Sequence, residues 1–300
     1  MYSFILNKIM EIKLIAVLLT CFNRKEKTLQ CLESVFAQRM PEGVQVQVFL
    51  VDDGSKDGTS DAVGLEFPQV KIVKGDGNLF WAGGMRKAWS VALKIGKFDY
   101  FWLVNDDTVM RPDALENLLK ADIYAKEVFG KSGIYSGSTL DPSTGLHSYG
   151  GEKLKREDNY AADPVLPNGT YQSCEFTNAN ILLVPRSVVE KIGIFSDKYI
   201  QSIADYDYSM RVVRAGLPVL ILPEYAGTCA YDHTKFEEAD IPPLKNRIRN
   251  LYGPKGYSYK EFLYFVKTFF PKRYLNTLVT FWIRTLFPTF WRRWKNKAEK

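Results

Sequence analysis

Adjacent carboxylates follow two apolar segments of strand length in this 300-residue chain. Asp52 and Asp53 come directly after the first segment, and Asn105, Asp106 and Asp107 come directly after the second. A carboxylate at such a point can accept hydrogen bonds from a nucleobase or a ribose hydroxyl. Clustered oxygen ligands also suit a hard divalent ion such as Mg²⁺ or Mn²⁺, which can bridge a diphosphate. A solvated turn remains the alternative for either cluster.

Two further sites in the sequence could contribute to the same chemistry. Asp205 and Asp207 open a predicted helix, where the helix dipole stabilises acidic side chains. One of them could instead act as a general base for a hydroxyl group. His233 is one of only two histidines and follows a predicted strand, which fits either a structural residue or a metal ligand. No Gly-rich GxxxxGK[ST] phosphate loop is present in the sequence.

Alternating strand and helix signals predict the framework that holds these residues. Strands are predicted at 14–19, 46–51, 70–73 and 100–104, and helices at 25–38, 57–67, 83–95 and 112–125. This order predicts an α/β fold with a doubly wound, mostly parallel sheet, in which ligands bind at the carboxyl ends of the strands. Later segments predict strands at 176–185 and 219–222 and helices at 187–192 and 205–215, after loops and short strands at 132–171.

The charge of the chain is unevenly distributed. Residues 244–300 contain 14 Lys and Arg against Glu261 and Glu299, a net of +12, whereas the preceding residues carry −6. Within this segment, residues 259–294 mix aromatic and basic side chains, and Pro271 and Pro288 divide it into helical pieces. Aromatic and cationic side chains together are typical of the membrane–water boundary. The alternatives are packing on the rest of the chain or pairing in a homodimer, and nucleic-acid binding is disfavoured by the apolar stretch at 275–283.

Cysteine usage and hydropathy indicate an intracellular protein. The four cysteines are scattered without a CxxC pair, which predicts reduced thiols rather than a zinc site or a disulfide framework. The apolar run at 12–22 is followed by polar residues instead of a cleavage site, so we interpret it as a buried first strand. No apolar run reaches the length of about 20 residues that a spanning helix needs.

Taken together and in order, five motifs resemble family 2 glycosyltransferases, the inverting enzymes of GT-A fold. The motifs cover roughly residues 12–233 and lie at 20–24, 51–59, 78–85, 105–108 and 205–211. The resemblance is strongest to the rhamnosyltransferase-like and galactofuranosyltransferase-like branch. It implies a catalytic domain at 1–243, with a nucleotide-sugar-binding half at about 12–125 and an acceptor-side half at about 126–243, and a basic aromatic helical extension at 244–300.

The resemblance also implies a role for each matching residue. Asp205 would be the catalytic base, and Asp107 and His233 would hold Mg²⁺ or Mn²⁺. Asn105 stands at the first acid position of the family's D-x-D motif, so metal contact falls to Asp107, with Asp106 as a second candidate. Asn105 and Asp106 would also belong to the nucleotide- and donor-binding residues. The remaining nucleotide- and donor-binding residues would be Thr20, Phe22, Arg24, Asp52 or Asp53 (with Asp53 favoured), Asn78, Trp81, Gly83 and Gly84.

The expected reaction is sugar transfer from a UDP- or dTDP-sugar, with inversion, to a saccharide or lipid-linked saccharide in cell-surface polysaccharide synthesis. The enzyme would be cytoplasmic and peripheral on the inner face of the membrane, with residues 259–294 on that surface. A sugar-phosphate nucleotidyltransferase is the first alternative, although residues 23–27 lack the glycine-rich loop of that class. A non-catalytic membrane-surface protein is the second, although it leaves the acidic clusters without a use.

Overall fold

The computed structural model describes residues 12–231, 241–254 and 256–298. Its first part alternates strands and helices as the sequence predicts. The elements are β1 Lys13–Cys21, α1 Lys25–Phe36, β2 Val44–Asp52, α2 Thr59–Glu66, β3 Lys71–Lys74, α3 Phe80–Ile95, β4 Tyr100–Val104, β5 Thr108–Met110 and α4 Ala114–Phe129.

The middle of the chain contains short strands and two helices, and the C-terminal part is helical. The middle elements are β6 Ile134–Ser136, β7 Thr139–Leu140, β8 His147–Tyr149, β9 Gly151–Arg156, β10 Asn159–Val165, β11 Gln172–Ser173, β12 Phe176–Thr177, β13 Ile181–Pro185, α5 Arg186–Ile192, α6 Ala204–Arg214, β14 Val219–Ile221 and β15 Gly227–Cys229. The helices that follow are α7 Leu244–Tyr252, α8 Tyr259–Phe269, a 3₁₀ turn Pro271–Arg273, α9 Tyr274–Leu286 and α10 Pro288–Ala298. Pro271 begins the 3₁₀ turn and Pro288 begins α10, so a new helical segment starts at each of the two prolines, as predicted.

The central sheet has eight strands in the order β11-β14-β6-β13-β4-β1-β2-β3. Strands β4, β1, β2 and β3 run parallel, whereas β13 is antiparallel to both β4 and β6. Helix α3 packs on one face of the sheet, and α1 and α4 pack on the other. Because both faces are covered, β1, β4 and β13 are buried and apolar along most of their length. The predicted doubly wound, mostly parallel architecture is confirmed.

One predicted strand is wrong in detail. Residues 176–185 form two short strands, β12 and β13, separated by residues 178–180. The backbone N–H of Asn178 donates to the carbonyl of Gly150, and that of Ala179 donates to the Asp205 carboxylate. Bonds to two different partners outside the central sheet interrupt the strand, and the apolar pattern of the sequence does not reveal them.

Helix α8 packs against the apolar core formed by the sheet and α3. Phe265, Val266, Phe269 and Phe270 are buried in the same apolar cluster as α3 and the sheet. The boundary at residue 243 stays a prediction, but α8 belongs to the packed body of the protein. In the described part of the chain, no helix has the length and apolar character needed to cross a membrane.

Adjacent glycines in α3 give a matched test of packing next to β1. A Cβ atom at Gly84 would lie 2.1 Å from the Oγ1 atom and 2.8 Å from the Cβ atom of Thr20, so rotating the Thr20 side chain cannot relieve the clash. We expect Gly84→Ala to lower the free energy of unfolding by about 1–3 kcal/mol. A Cβ atom at Gly83 would meet its nearest neighbour at 3.5 Å, so Gly83→Ala should be neutral or stabilising by up to about 1 kcal/mol. Urea unfolding of both variants measures the contrast, and equal effects would contradict it.

Candidate active site

A cavity of about 450 Å³ opens at the carboxyl ends of β1, β2 and β4. It is the place where a parallel sheet exposes its ligand-binding edge. Both the second acidic cluster and the start of α6 border it. The lining residues are Thr20, Cys21, Phe22, Arg24, Asp53, Gly77, Phe80, Trp81, Asn105, Asp106, Asp107, Tyr149, Asn178, Asn180, Gln201, Ser202, Ile203, Asp205, Tyr206 and Cys229.

Asp106 and Asp107 converge on a cationic group. The Nη1 atom of Arg24 lies 3.2 Å from Asp106 Oδ1 and 2.8 Å from Asp107 Oδ2, and the Nζ atom of Lys27 lies 3.8 Å from Asp107 Oδ2. Burial raises the pKa of Asp106 to about 7, although the Arg24 guanidinium opposes the shift. Two carboxylates that meet at one positive charge form an oxygen ligand set that fits a hard divalent cation.

Asn105 has a different partner from its two neighbours. Its Oδ1 atom accepts a hydrogen bond of 2.7 Å from the indole Nε1–H of Trp81. The backbone N–H of Trp81 in turn donates to the Gln201 side chain at 3.0 Å. The amide of Asn105 therefore orients an aromatic ring at the cavity wall, while Asp106 and Asp107 face the cations.

Asp53 and Asp52 are both held by donors from the protein itself. The Asp53 carboxylate accepts hydrogen bonds from the backbone N–H groups of Gly77, Leu79 and Phe80 at 2.9–3.0 Å, which ties the segment before α3 to the end of β2. Asp52 accepts from Ser55 and Ser60 and does not border the cavity. Of the two, Asp53 is the one that lines the cavity, and a contact of either with a base or ribose stays a prediction.

Asp205 and Asp207 occupy different environments although both open α6. Asp207 is buried in the core, where it accepts from the Nε atom of Arg211 at 2.8 Å and from the Tyr199 hydroxyl at 3.0 Å. Asp205 borders the cavity, and its Oδ2 atom accepts from the Ala179 backbone N–H at 3.3 Å. Burial raises the pKa of the Asp205 carboxyl to about 6. A carboxylate with this pKa is ionised at neutral pH and basic enough to accept a proton, so Asp205 suits a general base.

Tyr206 and Glu152 adjoin Asp205. The Tyr206 hydroxyl donates to the Glu152 carboxylate, and the Tyr206 ring stacks on Phe176 at a centroid distance of 4.7 Å. Tyr206 and Tyr149 both line the cavity on this side. No motif of the sequence pointed to Tyr149 or Glu152, because they lie on short strands of the irregular middle region.

The segment at 200–203 links the cavity to the C-terminal helices. The carbonyl of Ile200 accepts the backbone N–H groups of Ala82 and Gly83 at 2.9 and 3.1 Å. Ile203, directly before α6, has a φ of +67°, which β-branched residues rarely adopt. From α8, the buried Glu261 carboxylate faces the backbone N–H groups of residues 200–202, and burial raises its pKa above the ordinary value.

Most of the predicted site residues meet at this cavity. Asn78, Gly83, Gly84 and Asp52 do not line it, and the N–H groups at the start of α3 already bind Asp53, Gln201 and Ile200. His233 lies outside the described residues. Within the described ranges, no group of three or more His, Cys, Asp and Glu side chains converges on a common point. The four cysteines are buried and free of disulfides, and Cys21 and Cys229 line the cavity.

Comparison with known proteins adds an independent line of support. The family model described as glycosyl transferase family 2 matches residues 16–168, which is just over half of the chain. The chain belongs to glycosyl transferase family 2. The matched range includes both strand-end acid clusters and the start of α3, so the Asp106–Asp107 pair lies within the family domain.

Individual relatives match more distantly. The glycosyltransferase GlyG of Streptococcus pneumoniae serotype 4 is 24% identical over 109 residues, covering 35% of this chain and 34% of that protein. This chain therefore matches about a third of that curated relative's length. The solved mannosyltransferase PcManGT from Pyrobaculum calidifontis, in complex with GDP-Man and Mn²⁺, has a TM-score of 0.51 and 17% identity, covering 78% of this chain and 60% of that chain. This likeness supports the GT-A fold.

Proposed function

We propose that this family 2 protein is a metal-dependent inverting glycosyltransferase that uses a nucleotide-diphospho-sugar as its donor. The observation that carries the proposal is that one cavity borders both the Asp106–Asp107 pair and Asp205. An acid pair can bind a divalent cation, which in turn can bind the diphosphate of the donor. A carboxylate with a raised pKa can act as the general base that activates an acceptor hydroxyl. The two groups that the proposed reaction needs therefore border the same cavity, and this supports the proposal.

Asp107 and Asp106 would hold Mg²⁺ or Mn²⁺, with His233 as a further predicted ligand. The ion, when bound, would neutralise charge on the leaving nucleoside diphosphate. The Arg24 guanidinium lies between the two carboxylates, 3.2 Å from Asp106 and 2.8 Å from Asp107. A metal ion bound by these carboxylates would displace the guanidinium from this position. The guanidinium would then lie beside the ion, where it could donate a hydrogen bond to a phosphate oxygen.

Thr20, Phe22 and Arg24 would line the nucleotide pocket, together with Asp53. The Trp81 ring, fixed by its hydrogen bond to Asn105, would form a wall for the donor sugar. Asn78, Gly83 and Gly84 would act indirectly, because they shape the start of α3 without lining the cavity. We keep UDP- and dTDP-sugars as the predicted donors.

Asp205 would accept the proton of an acceptor hydroxyl while the hydroxyl oxygen attacks the anomeric carbon. The bond from that carbon to the leaving phosphate oxygen breaks in the same step, and the nucleoside diphosphate departs from the opposite face. A single displacement inverts the anomeric configuration. The acceptor is proposed to be a saccharide or lipid-linked saccharide in cell-surface polysaccharide synthesis, at the cytoplasmic face of the membrane.

The raised pKa of Asp205 sets an expected pH dependence. The base functions only when ionised, so activity is present above its pKa and is lost as the pH falls through it. With metal and donor saturating, we expect kcat/KM for the acceptor to fall about tenfold per pH unit below pH about 6. A pH series in matched buffers measures this, with protein integrity checked by circular dichroism at each pH. A profile that stays flat down to about pH 5 would contradict the assignment.

A donor screen tests the proposed function as a whole. Nucleoside diphosphate release would be measured from UDP-, dTDP- and GDP-sugars with Mn²⁺ or Mg²⁺, and again after EDTA. GDP-mannose belongs in the panel because the mannosyltransferase of similar fold was solved with GDP-Man and Mn²⁺. We expect release from one nucleotide class, with EDTA abolishing it. Release that persists in EDTA would contradict metal dependence, and no release from any sugar nucleotide would contradict the donor class.

A further inference from the structure

Helix α9 places three of its large apolar side chains on the outside. Leu275, Val279 and Leu286 are 71%, 50% and 42% exposed, whereas Thr277 and Thr285 are buried. A spacing of 4 and then 7 residues places the three apolar side chains on one side of a helix. A helix that covers a protein core normally has the opposite arrangement, with threonines outside and leucines inside. The outward face of α9 therefore suits an apolar environment rather than water.

The same exposure continues into α10. Phe287, Phe290 and Trp294 are 59%, 61% and 54% exposed, and they follow Leu286 across the break at Pro288. We call the six residues Leu275, Val279, Leu286, Phe287, Phe290 and Trp294 the outer apolar stripe. Large apolar side chains that are grouped and exposed in this way mark an interaction surface.

Positive charge accompanies the outer apolar stripe. Lys272 and Arg273 lie directly before α9, and the segment from residue 244 onwards carries a net charge of +12. The partner of this surface should therefore be apolar and anionic. A second copy of the chain satisfies the first condition only, since it would bring one strongly basic segment against another. An anionic lipid bilayer satisfies both conditions, because cationic and aromatic side chains occupy its headgroup region.

We propose that the outer apolar stripe docks this protein on the surface of an anionic bilayer, with α9 and α10 lying in the plane of the interface. The outer apolar stripe spans residues 275–294 and is therefore shorter than the membrane-binding segment predicted at 259–294. Helix α8 is excluded because its aromatic face is used in the core, where Phe265 and Phe269 are buried. Through Glu261, the same α8 also contacts the segment that leads to Asp205. Helix α8 therefore connects the docking surface on α9 with the wall of the cavity. The docking itself does not depend on the proposed reaction.

Vesicle flotation of the full chain tests this proposal. With vesicles that contain about a third phosphatidylglycerol, we expect most of the protein to float at low salt, and little to float with purely zwitterionic vesicles. The triple variant Leu275→Ser, Phe290→Ser and Trp294→Ser should reduce the floated fraction at least about fivefold. The control is Leu65→Ser on α2, a leucine that is 84% exposed but lies outside the outer apolar stripe, and it should float like the unmodified chain.

Two further measurements distinguish the other outcomes. The double variant Lys272→Gln and Arg273→Gln leaves the outer apolar stripe unchanged and should also reduce flotation, so it decides the question if the triple variant fails to fold. Light scattering without vesicles reports the oligomeric state. Failure of the unmodified chain to float, or equal flotation of the triple variant, would overturn the proposal. A dimer that the triple variant converts to a monomer would overturn it as well, in favour of a second copy on this face.

Discussion

Replacing Asp205 by asparagine is expected to lower kcat by about 10²–10⁴-fold, because the amide cannot accept the proton of the acceptor hydroxyl. Donor binding should be unaffected, since the Asp106–Asp107 pair lies on other elements, at the end of β4. Stability should be unchanged or higher, because burial raises the pKa of the Asp205 carboxyl and its ionised form is therefore unfavourable in the folded protein. Transfer kinetics, nucleotide titration and thermal unfolding together measure the three expectations.

Asp207 provides the matched control for this experiment. It is two residues away in the same helical turn, yet its carboxylate bonds Arg211 and Tyr199 in the core. We expect Asp207→Asn to lower the free energy of unfolding by about 1–3 kcal/mol while the folded protein keeps most of its kcat. If Asp207→Asn removed activity in a stable protein and Asp205→Asn did not, the base would be assigned to the wrong residue.

Replacing Asp107 by asparagine is expected to weaken metal-dependent binding of the nucleoside diphosphate at least about tenfold, since even partners of metal ligands have effects of this size. The variant loses one of the two carboxylates that converge on Arg24. The fold should be little affected, because a salt bridge to a guanidinium that is 41% exposed contributes only about 0–1 kcal/mol. Calorimetric titration of the nucleotide in Mn²⁺ and in EDTA measures the loss.

Asp163→Asn is the control for charge alone. Its side chain is 67% exposed and pairs with Lys155 on the neighbouring strand, and it does not line the cavity. It removes the same charge from the chain and should leave nucleotide binding unchanged. Equal binding by Asp107→Asn and the unmodified chain in Mn²⁺ would show that the acid pair does not hold the ion.

The fold was predictable from the sequence because its central strands are covered on both faces. Such strands are continuous apolar runs, and β1, β2 and β4 lie within one to two residues of their predicted ends. The ends of helices were less predictable. Helix α3 begins at Phe80, three residues before its predicted start, because Asp53 and Gln201 bind the backbone N–H groups of its first two residues. Those partners are distant in sequence, so no local pattern reports them.

The position of the site was predictable from the sequence, but the environments and contact partners of its side chains were not. Strand ends meet at one edge of a parallel sheet, so the acid clusters could be expected to lie near each other. The sequence pattern of Asp205 and Asp207 is the same, and only the packing of α6 separates a cavity carboxylate from a core ion pair. The pairing of Arg24 with two acids and the contact of Tyr206 with Glu152 join segments more than 50 residues apart in the chain.

The stereochemistry of donor cleavage tests the central claim most directly. With the donor that the screen identifies, water can replace the acceptor, and proton NMR can record the anomer of the released sugar before it mutarotates. Direct displacement assisted by Asp205 predicts that the first sugar formed has the configuration opposite to that of the donor, and that Asp205→Asn slows its formation. A first product with the donor's own configuration would contradict the proposed single displacement.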